Sequence, residues 1–293
     1  MFQTGSRVRR VSYRTGPFLV VLESDHLPLV DLLCEFYPPA WIGTAEGVTS
    51  FHVQMSRVGG IRRWTRPQVR FRIDGPSPFE PYPLDHAFPL FEWGLNWCIA
   101  MRAHQFLMLH AAVVERGGRA LILPAAPGAG KSTLCAALVL RGWRLLSDEF
   151  GLCDLSTGLM VPLPRAVPLK NESIQVIRAF SADAHFGPLF PKTRKGDVSH
   201  LRPPAESLRR QQEPARPAHI VFPRFEPAAP LQVHALASSE GFVRLAYNAF
   251  NYQFLGGDGF AALTRLVSRC DCYNLLFGSL GDAVTALEDL CAA

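Results

Sequence analysis

The sequence predicts an α/β fold. A mixed sheet with helices spans residues 105–293, preceded by a smaller α+β region with a connecting helix over residues 1–104. Three observations carry this reading. An apolar strand, Arg119 to Leu123, runs into a glycine-containing loop and then a helix from Ser132 to Arg141. Hairpin signals, Gly117-Gly118 and Ser156-Thr157-Gly158, lie on either side of that unit, so part of the sheet must be antiparallel. The length, 293 residues, corresponds to about two domains at roughly 150 residues each.

Phe18 to Glu23 is an apolar, β-prone run. Ser24-Asp25 offers a cap for a helix with Pro28 in its first turn and Leu29, Leu32, Leu33 and Phe36 on one face, and Pro38-Pro39 stops it. Phe51, Val53 and Met55 alternate, as do Val69, Phe71 and Ile73, with Gly59-Gly60 turning between them. Residues 75–85, rich in Pro and Ser, mark a boundary. Leu90 to His104 reads as a core helix carrying Trp93, Trp97 and Met101 on one side. Ala111 to Glu115 and Arg119 to Leu123 form the first hairpin. Gly142 ends the helix after it, Arg144 to Ser147 is the next strand, and Phe150 to Asp154 with Leu159 to Leu163 form the second hairpin. Residues 181–217 hold seven Lys or Arg and little apolar periodicity, and read as a basic, loop-like segment. Strands at Ile220 to Phe225, Leu231 to Leu236 and Cys272 to Phe277 and helices near 239–250, 259–269 and 280–291 complete the chain.

Composition narrows the function. Apolar residues make 48% and charged residues 19% of the chain, which excludes a wholly disordered protein. No apolar run reaches the ~18 residues of a membrane span, and the arginines near the start precede no apolar stretch with a cleavage site. Seven cysteines without a CxxC pair suit a reducing, cytoplasmic compartment. A net charge of +5 without a basic stripe gives no nucleic-acid signature.

The sharpest signal is Ala125-Ala126-Pro127-Gly128-Ala129-Gly130-Lys131-Ser132-Thr133, between strand and helix. A phosphate-binding loop needs this context: backbone N–H groups wrap the phosphates and the helix N-terminus adds its positive end. Lys131 would reach the β- and γ-phosphates, Ser132 would hold Mg²⁺, and Thr133 would bond phosphate. Gly128 and Gly130 allow unusual backbone angles. Ala125 stands where the usual pattern has its first glycine, which requires a negative φ or strain there. Beyond the helix, Asp148-Glu149 ends the next strand, where one carboxylate would hold Mg²⁺ and the other would orient or deprotonate the nucleophile.

The stretch from Leu109-His110 through this loop to Gly142-Trp143-Arg144-Leu145-Leu146-Ser147-Asp148-Glu149 resembles the catalytic domain of HPr kinase/phosphorylase. Pro164-Arg165, Leu169-Lys170-Asn171-Glu172-Ser173 and Thr193-Arg194-Lys195-Gly196 look like the branch called HprK-related kinase A. The resemblance covers roughly residues 105–290. Glu149 stands where the HPr kinases carry Asp, Lys-Asn-Glu-Ser replaces their glycine-rich segment, and the first hundred residues differ from their N-terminal domain.

The resemblance implies a phosphoenolpyruvate-carboxykinase-like P-loop fold and a Mg·ATP-dependent kinase. Its acceptor would be a hydroxyl, most simply serine, on a peptide or small protein, with a PqqD-like peptide-binding protein as a further partner. It also implies His110 as a polar contact near the acceptor or phosphates, Lys170 and Arg165 as phosphate contacts, and Glu172 as a metal or acceptor contact. Arg194 and Lys195 would belong to a mobile flap over ATP or peptide; for Asn171 a helix-capping role competes. A nucleotide-binding switch or ATPase, a small-molecule kinase and a homo-oligomer stay open at this level.

Overall fold

The computed structural model describes residues 8–37, 47–60, 62–126 and 128–292. Its strands are β1 (Arg9–Thr15), β2 (Phe18–Ser24), β3 (Phe51–Arg57), β4 (Gln68–Ile73), β5 (Tyr82–Pro83), β6 (Phe106–Arg116), β7 (Arg119–Pro124), β8 (Arg144–Ser147), β9 (Phe150–Asp154), β10 (Met160–Val161), β11 (Val167–Lys170), β12 (Phe190–Thr193), β13 (Gly196–Leu201), β14 (Arg216–Phe225), β15 (Gln232–Leu236) and β16 (Asp271–Phe277). The helices are α1 (Leu27–Phe36), α2 (Arg62–Thr65), α3 (Ala87–Arg102), α4 (Lys131–Leu140), α5 (Glu172–Phe180), α6 (Ala205–Arg209), α7 (Ser238–Asn248), α8 (Tyr252–Leu255), α9 (Gly257–Ser268) and α10 (Leu280–Ala292). Pro38-Pro39 and Pro127 lie outside the described residues. Among those described, no helix is long and apolar enough to cross a membrane.

The chain forms two compact units. Residues up to Arg102 join with Gly187–Ser199 in the first, and Ala103–Phe186 join with His200 onward in the second. Residues 187–199 thus group with the N-terminal residues, not with the region 105–293 in which the sequence places them.

The first unit carries the sheet β1-β2-β3-β4-β5, antiparallel except where β2 meets β3. Its alternating residues Val53, Met55, Val69, Phe71 and Ile73 are buried, as their spacing predicts. Gly94 lets α3 lie close on β4, since a Cβ there would run into the Phe71 ring. The helix α1 is capped differently from expectation. His26 is its N-cap and makes no side-chain capping bond, while Ser24 Oγ accepts the His26 N–H.

The second unit holds the mixed sheet β10-β9-β6-β7-β14-β16-β15, with β8 also on β6. The β7–β14 and β14–β16 pairs are parallel; β6–β7 and β15–β16 are antiparallel. Both faces are covered, and the pleat sorts the residues. Ala112, Val114, Leu121 and Leu123 pack with α4, α5 and α10, while Leu109, Ala111, Val113 and Ile122 pack with α7 and α9. At the far end of β6, Glu115 and Arg144 form a buried ion pair, and Arg144 Nη1 also donates to the carbonyls of Arg210 and Glu213, both at 2.9 Å.

The segment 181–217 is not the loop that its composition suggests. It contains β12, β13, α6 and the start of β14. The β12–β13 hairpin turns at Arg194-Lys195, where Thr193 Oγ1 donates to the Gly196 carbonyl (2.7 Å) and accepts the Lys195 N–H (3.1 Å).

Candidate functional site

β6 sets the frame of the site. Its Ala111 pairs with Pro124 at the end of β7, and its His110 pairs with Phe150 at the start of β9. β8 pairs with β6 up to Ser147↔Val113. Asp148-Glu149 therefore breaks out between β8 and β9, opposite the step on β6 where the glycine loop leaves β7. β8 does not neighbour β7: β6 lies between them, and both strand ends open on the same edge of the sheet.

The loop delivers its lysine and hydroxyls to that edge. Gly128 and Gly130 have φ +89° and +86°, values that a side chain would strain. Ala125 is not among the positive-φ residues, so alanine carries no left-handed backbone strain where the usual pattern has its first glycine. Gly130 is the N-cap of α4, which has neither a side-chain cap nor an acidic residue in its first turn. The first N–H groups of an α-helix have no intrahelical partner and carry its positive end. No side-chain cap takes one of them here.

Three side chains meet in front of this helix end. Ser132 Oγ donates to Asp148 Oδ2 at 2.9 Å, and buried Lys131 donates from Nζ to the Asp148 backbone carbonyl at 2.5 Å. Burial pushes the Asp148 carboxyl above the usual carboxylate range, and Glu149 adds to this; Lys131, the Ser132 hydrogen bond and Lys170 pull the other way. Asp148 Oδ1 is buried without a hydrogen-bond partner. An orphaned carboxylate oxygen beside a serine hydroxyl is a hard-oxygen pair suited to Mg²⁺, which takes one or two protein oxygens and fills its shell with water and phosphate. No group of three or more His, Cys, Asp or Glu gathers around a metal position among the described residues.

The remaining candidates fall in different places. Ala126 is exposed and Thr133 half-buried in the loop and first turn, with the Ala129 N–H on the Ala126 carbonyl at 3.3 Å. His110 is half-buried, its ring 5.4 Å from that of Phe250. Glu149 is half-buried beside Asp148, and Glu172 is exposed at the start of α5. Lys170, exposed at the end of β11, acts electrostatically on Asp148. Asn171 holds the N-cap position of α5 with no side-chain capping bond and φ +51°. Instead Ser173 Oγ donates to the Lys170 carbonyl (2.6 Å) and accepts the Lys170 N–H (2.8 Å). Arg194 and Lys195 belong to the first unit. The Arg194 guanidinium lies 5.3 Å over Tyr82 and the Arg194 backbone N–H donates to the Tyr82 hydroxyl at 3.1 Å, while Lys195 Nζ lies 5.0 Å over Trp93.

Sequence reasoning passed over His200. It is buried on β13, and burial together with Arg165 and Lys170 pushes its imidazole down to about 3. Arg165 is itself buried on the segment after β10, where the Leu163 N–H bonds to Leu146 of β8. A neutral histidine thus accompanies two cations on the side of the site formed by β11. Comparison with protein-family models and with curated proteins finds no match.

Proposed function

We propose that this chain is a Mg·ATP-dependent kinase of the P-loop class. As its resemblance to the HPr kinases implies, the sheet is of the phosphoenolpyruvate-carboxykinase-like kind, and the acceptor is a serine hydroxyl on a peptide or small protein. One observation carries the reading: Lys131, Ser132 and Asp148 meet at the uncapped N-terminus of α4, with Asp148 Oδ1 buried and unpartnered. Phosphoryl transfer asks mainly for positioning and charge stabilisation, and this edge supplies cations, helix N–H groups and a carboxylate together.

Each residue has a distinct task. The backbone of 126–131 and the Thr133 hydroxyl bind the phosphates, and Lys131 turns its remaining N–H donors to the β- and γ-phosphates. Ser132 Oγ and Asp148 are assigned to Mg²⁺ because they already share a hydrogen bond and a free carboxylate oxygen. Bound magnesium would neutralise charge on the leaving and transferring phosphate oxygens. Glu149, the less buried of the acidic pair, takes the proton from the acceptor hydroxyl as that oxygen bonds to the γ-phosphorus and the bond to the β-phosphate oxygen breaks, releasing ADP. His110 lies next to this pair on β6 and orients the acceptor. Lys170 and Arg165 add positive charge on the β11 side.

Incubation with Mg²⁺ and γ-labelled ATP, with and without serine-containing peptides, tests the assignment. Label on a peptide supports it, with Glu149→Gln lowering turnover about 10²–10⁴-fold at little cost in ATP affinity. Phosphate release without transfer points instead to an ATPase, and no turnover at saturating ATP refutes a catalytic role.

A further inference from the structure

The loop is flanked asymmetrically, and this gives the bound nucleotide a direction. On one side, across β6, stand Asp148 and Glu149. On the other side β14 runs parallel to β7 and ends at Phe225. The Phe225 N–H donates to the Ala129 carbonyl at 3.3 Å, which ties the end of β14 to the glycine loop. A Cβ built on Gly130 would lie 3.2 Å from Phe225 Cβ and 3.4 Å from the Phe277 ring, so the loop rests directly on this aromatic pair. Phe225 pairs with Phe277 in register, with ring centroids 5.6 Å apart at 58°. Val221, Leu275 and Phe277 belong to the core layer of α4, so the pleat sends Phe225 to the α4 face as well. Phe277 is 2% exposed and supports from below; Phe225 is 43% exposed.

We propose that Phe225 is the platform on which the base of the nucleotide stacks, so that the site takes a nucleoside triphosphate in preference to inorganic polyphosphate. This rests on the nucleotide reading above. Lys131 and Ser132 point toward Asp148, which fixes the γ-phosphate and metal end on that side. The α-phosphate and nucleoside then leave by the opposite side, over the ring of Phe225. In open α/β sheets ligands occupy the carboxyl ends of parallel strands, and Phe225 is the last residue of one. An aromatic face accepts a base by stacking without reading its edge. Phe225 thereby sets the affinity for the nucleoside, whereas Lys131 and the loop set that for the phosphates.

Calorimetric titration of the full chain in Mg²⁺ separates the two contributions, with ATP and inorganic tripolyphosphate as ligands and wild type, Phe225→Leu and Phe225→Trp as proteins. Loss of base stacking typically weakens binding by about 5- to 150-fold. Phe225→Leu should weaken ATP by that factor and leave tripolyphosphate unchanged, while Phe225→Trp keeps the ATP affinity. Equal weakening of both ligands would make Phe225 a support of the loop and overturn the proposal, as would ATP affinity indifferent to leucine. Wild type that binds tripolyphosphate and ATP equally refutes the platform alone. Wild type that binds neither removes the nucleotide reading, and the platform with it.

Discussion

Replacing His200 by Gln should flatten the acid side of the protein's stability profile. His200 is 1% exposed on β13, and its imidazole is held at about 3 by burial and by the charges of Arg165 and Lys170, against 6.5 in the unfolded chain. The folded state therefore resists the proton that the unfolded state takes up. Stability from this group is full above 6.5 and is lost as pH falls from there toward 3. Linkage with the lowered value gives a loss on the order of 1 kcal/mol between pH 7.5 and 5.5, growing in stronger acid. Other groups also titrate. His26 and His219 are lowered and act in the same sense; Asp148 is raised and acts in the opposite one. All three are present in both proteins, so the difference between wild type and His200→Gln isolates His200. Urea unfolding followed by circular dichroism at pH 7.5, 6.5 and 5.5 measures it. The variant is expected to start less stable and to close on wild type by on the order of 1 kcal/mol at the lowest pH. Profiles that stay parallel would show that His200 titrates normally and that the cationic enclosure around it is wrong.

Asp148→Asn should raise the melting temperature of the ligand-free protein at neutral pH, because it removes a carboxylate that burial disfavours, and should abolish any stabilisation by Mg²⁺ with ATP; calorimetric scans with and without Mg·ATP check both. Arg144→Met takes from Glu115, 2% exposed, its closest cation and leaves it only the more distant Arg210, at 3.7 Å, and the Gly118 N–H, so it should cost up to about 3–5 kcal/mol in urea unfolding. Adding Glu115→Leu should recover most of that loss.

The core of the second unit was legible because local and global signals agree there. Gly117-Gly118 carry the positive φ angles, +60° and +80°, of the β6–β7 turn. Gly142, at φ +89°, ends α4 with the Trp143 N–H folding back to the Leu138 carbonyl. The meeting of Lys131, Ser132 and Asp148 followed from the strand–loop–helix order, since a helix returning from β7 must bring the next strand end to the same edge.

The stretch 181–217 was not legible. β13 buries Val198, Ser199, His200 and Leu201 in succession, so it shows no two-residue alternation, and its buried polar residues resemble a loop. α6 is five residues long, too short for a helical period to register. His200 was missed for the same reason, because its meaning comes from Arg165 and Lys170, which are distant in sequence. Arg194 and Lys195 stood out by their charge and by the resemblance of Thr193-Arg194-Lys195-Gly196, and neither points to their aromatic partners Tyr82 and Trp93, about a hundred residues earlier.

In the proposed function, residues 125–133 cradle a triphosphate. Thermal unfolding of wild type and Lys131→Ala, with and without Mg·ATP, tests it most directly. At ATP one hundred times its dissociation constant, wild type should gain about 2.7 kcal/mol. Lys131→Ala should fold without ATP and show no gain when it is added. Equal stabilisation of the two proteins would contradict the site, because ATP would then bind without the lysine that the loop presents.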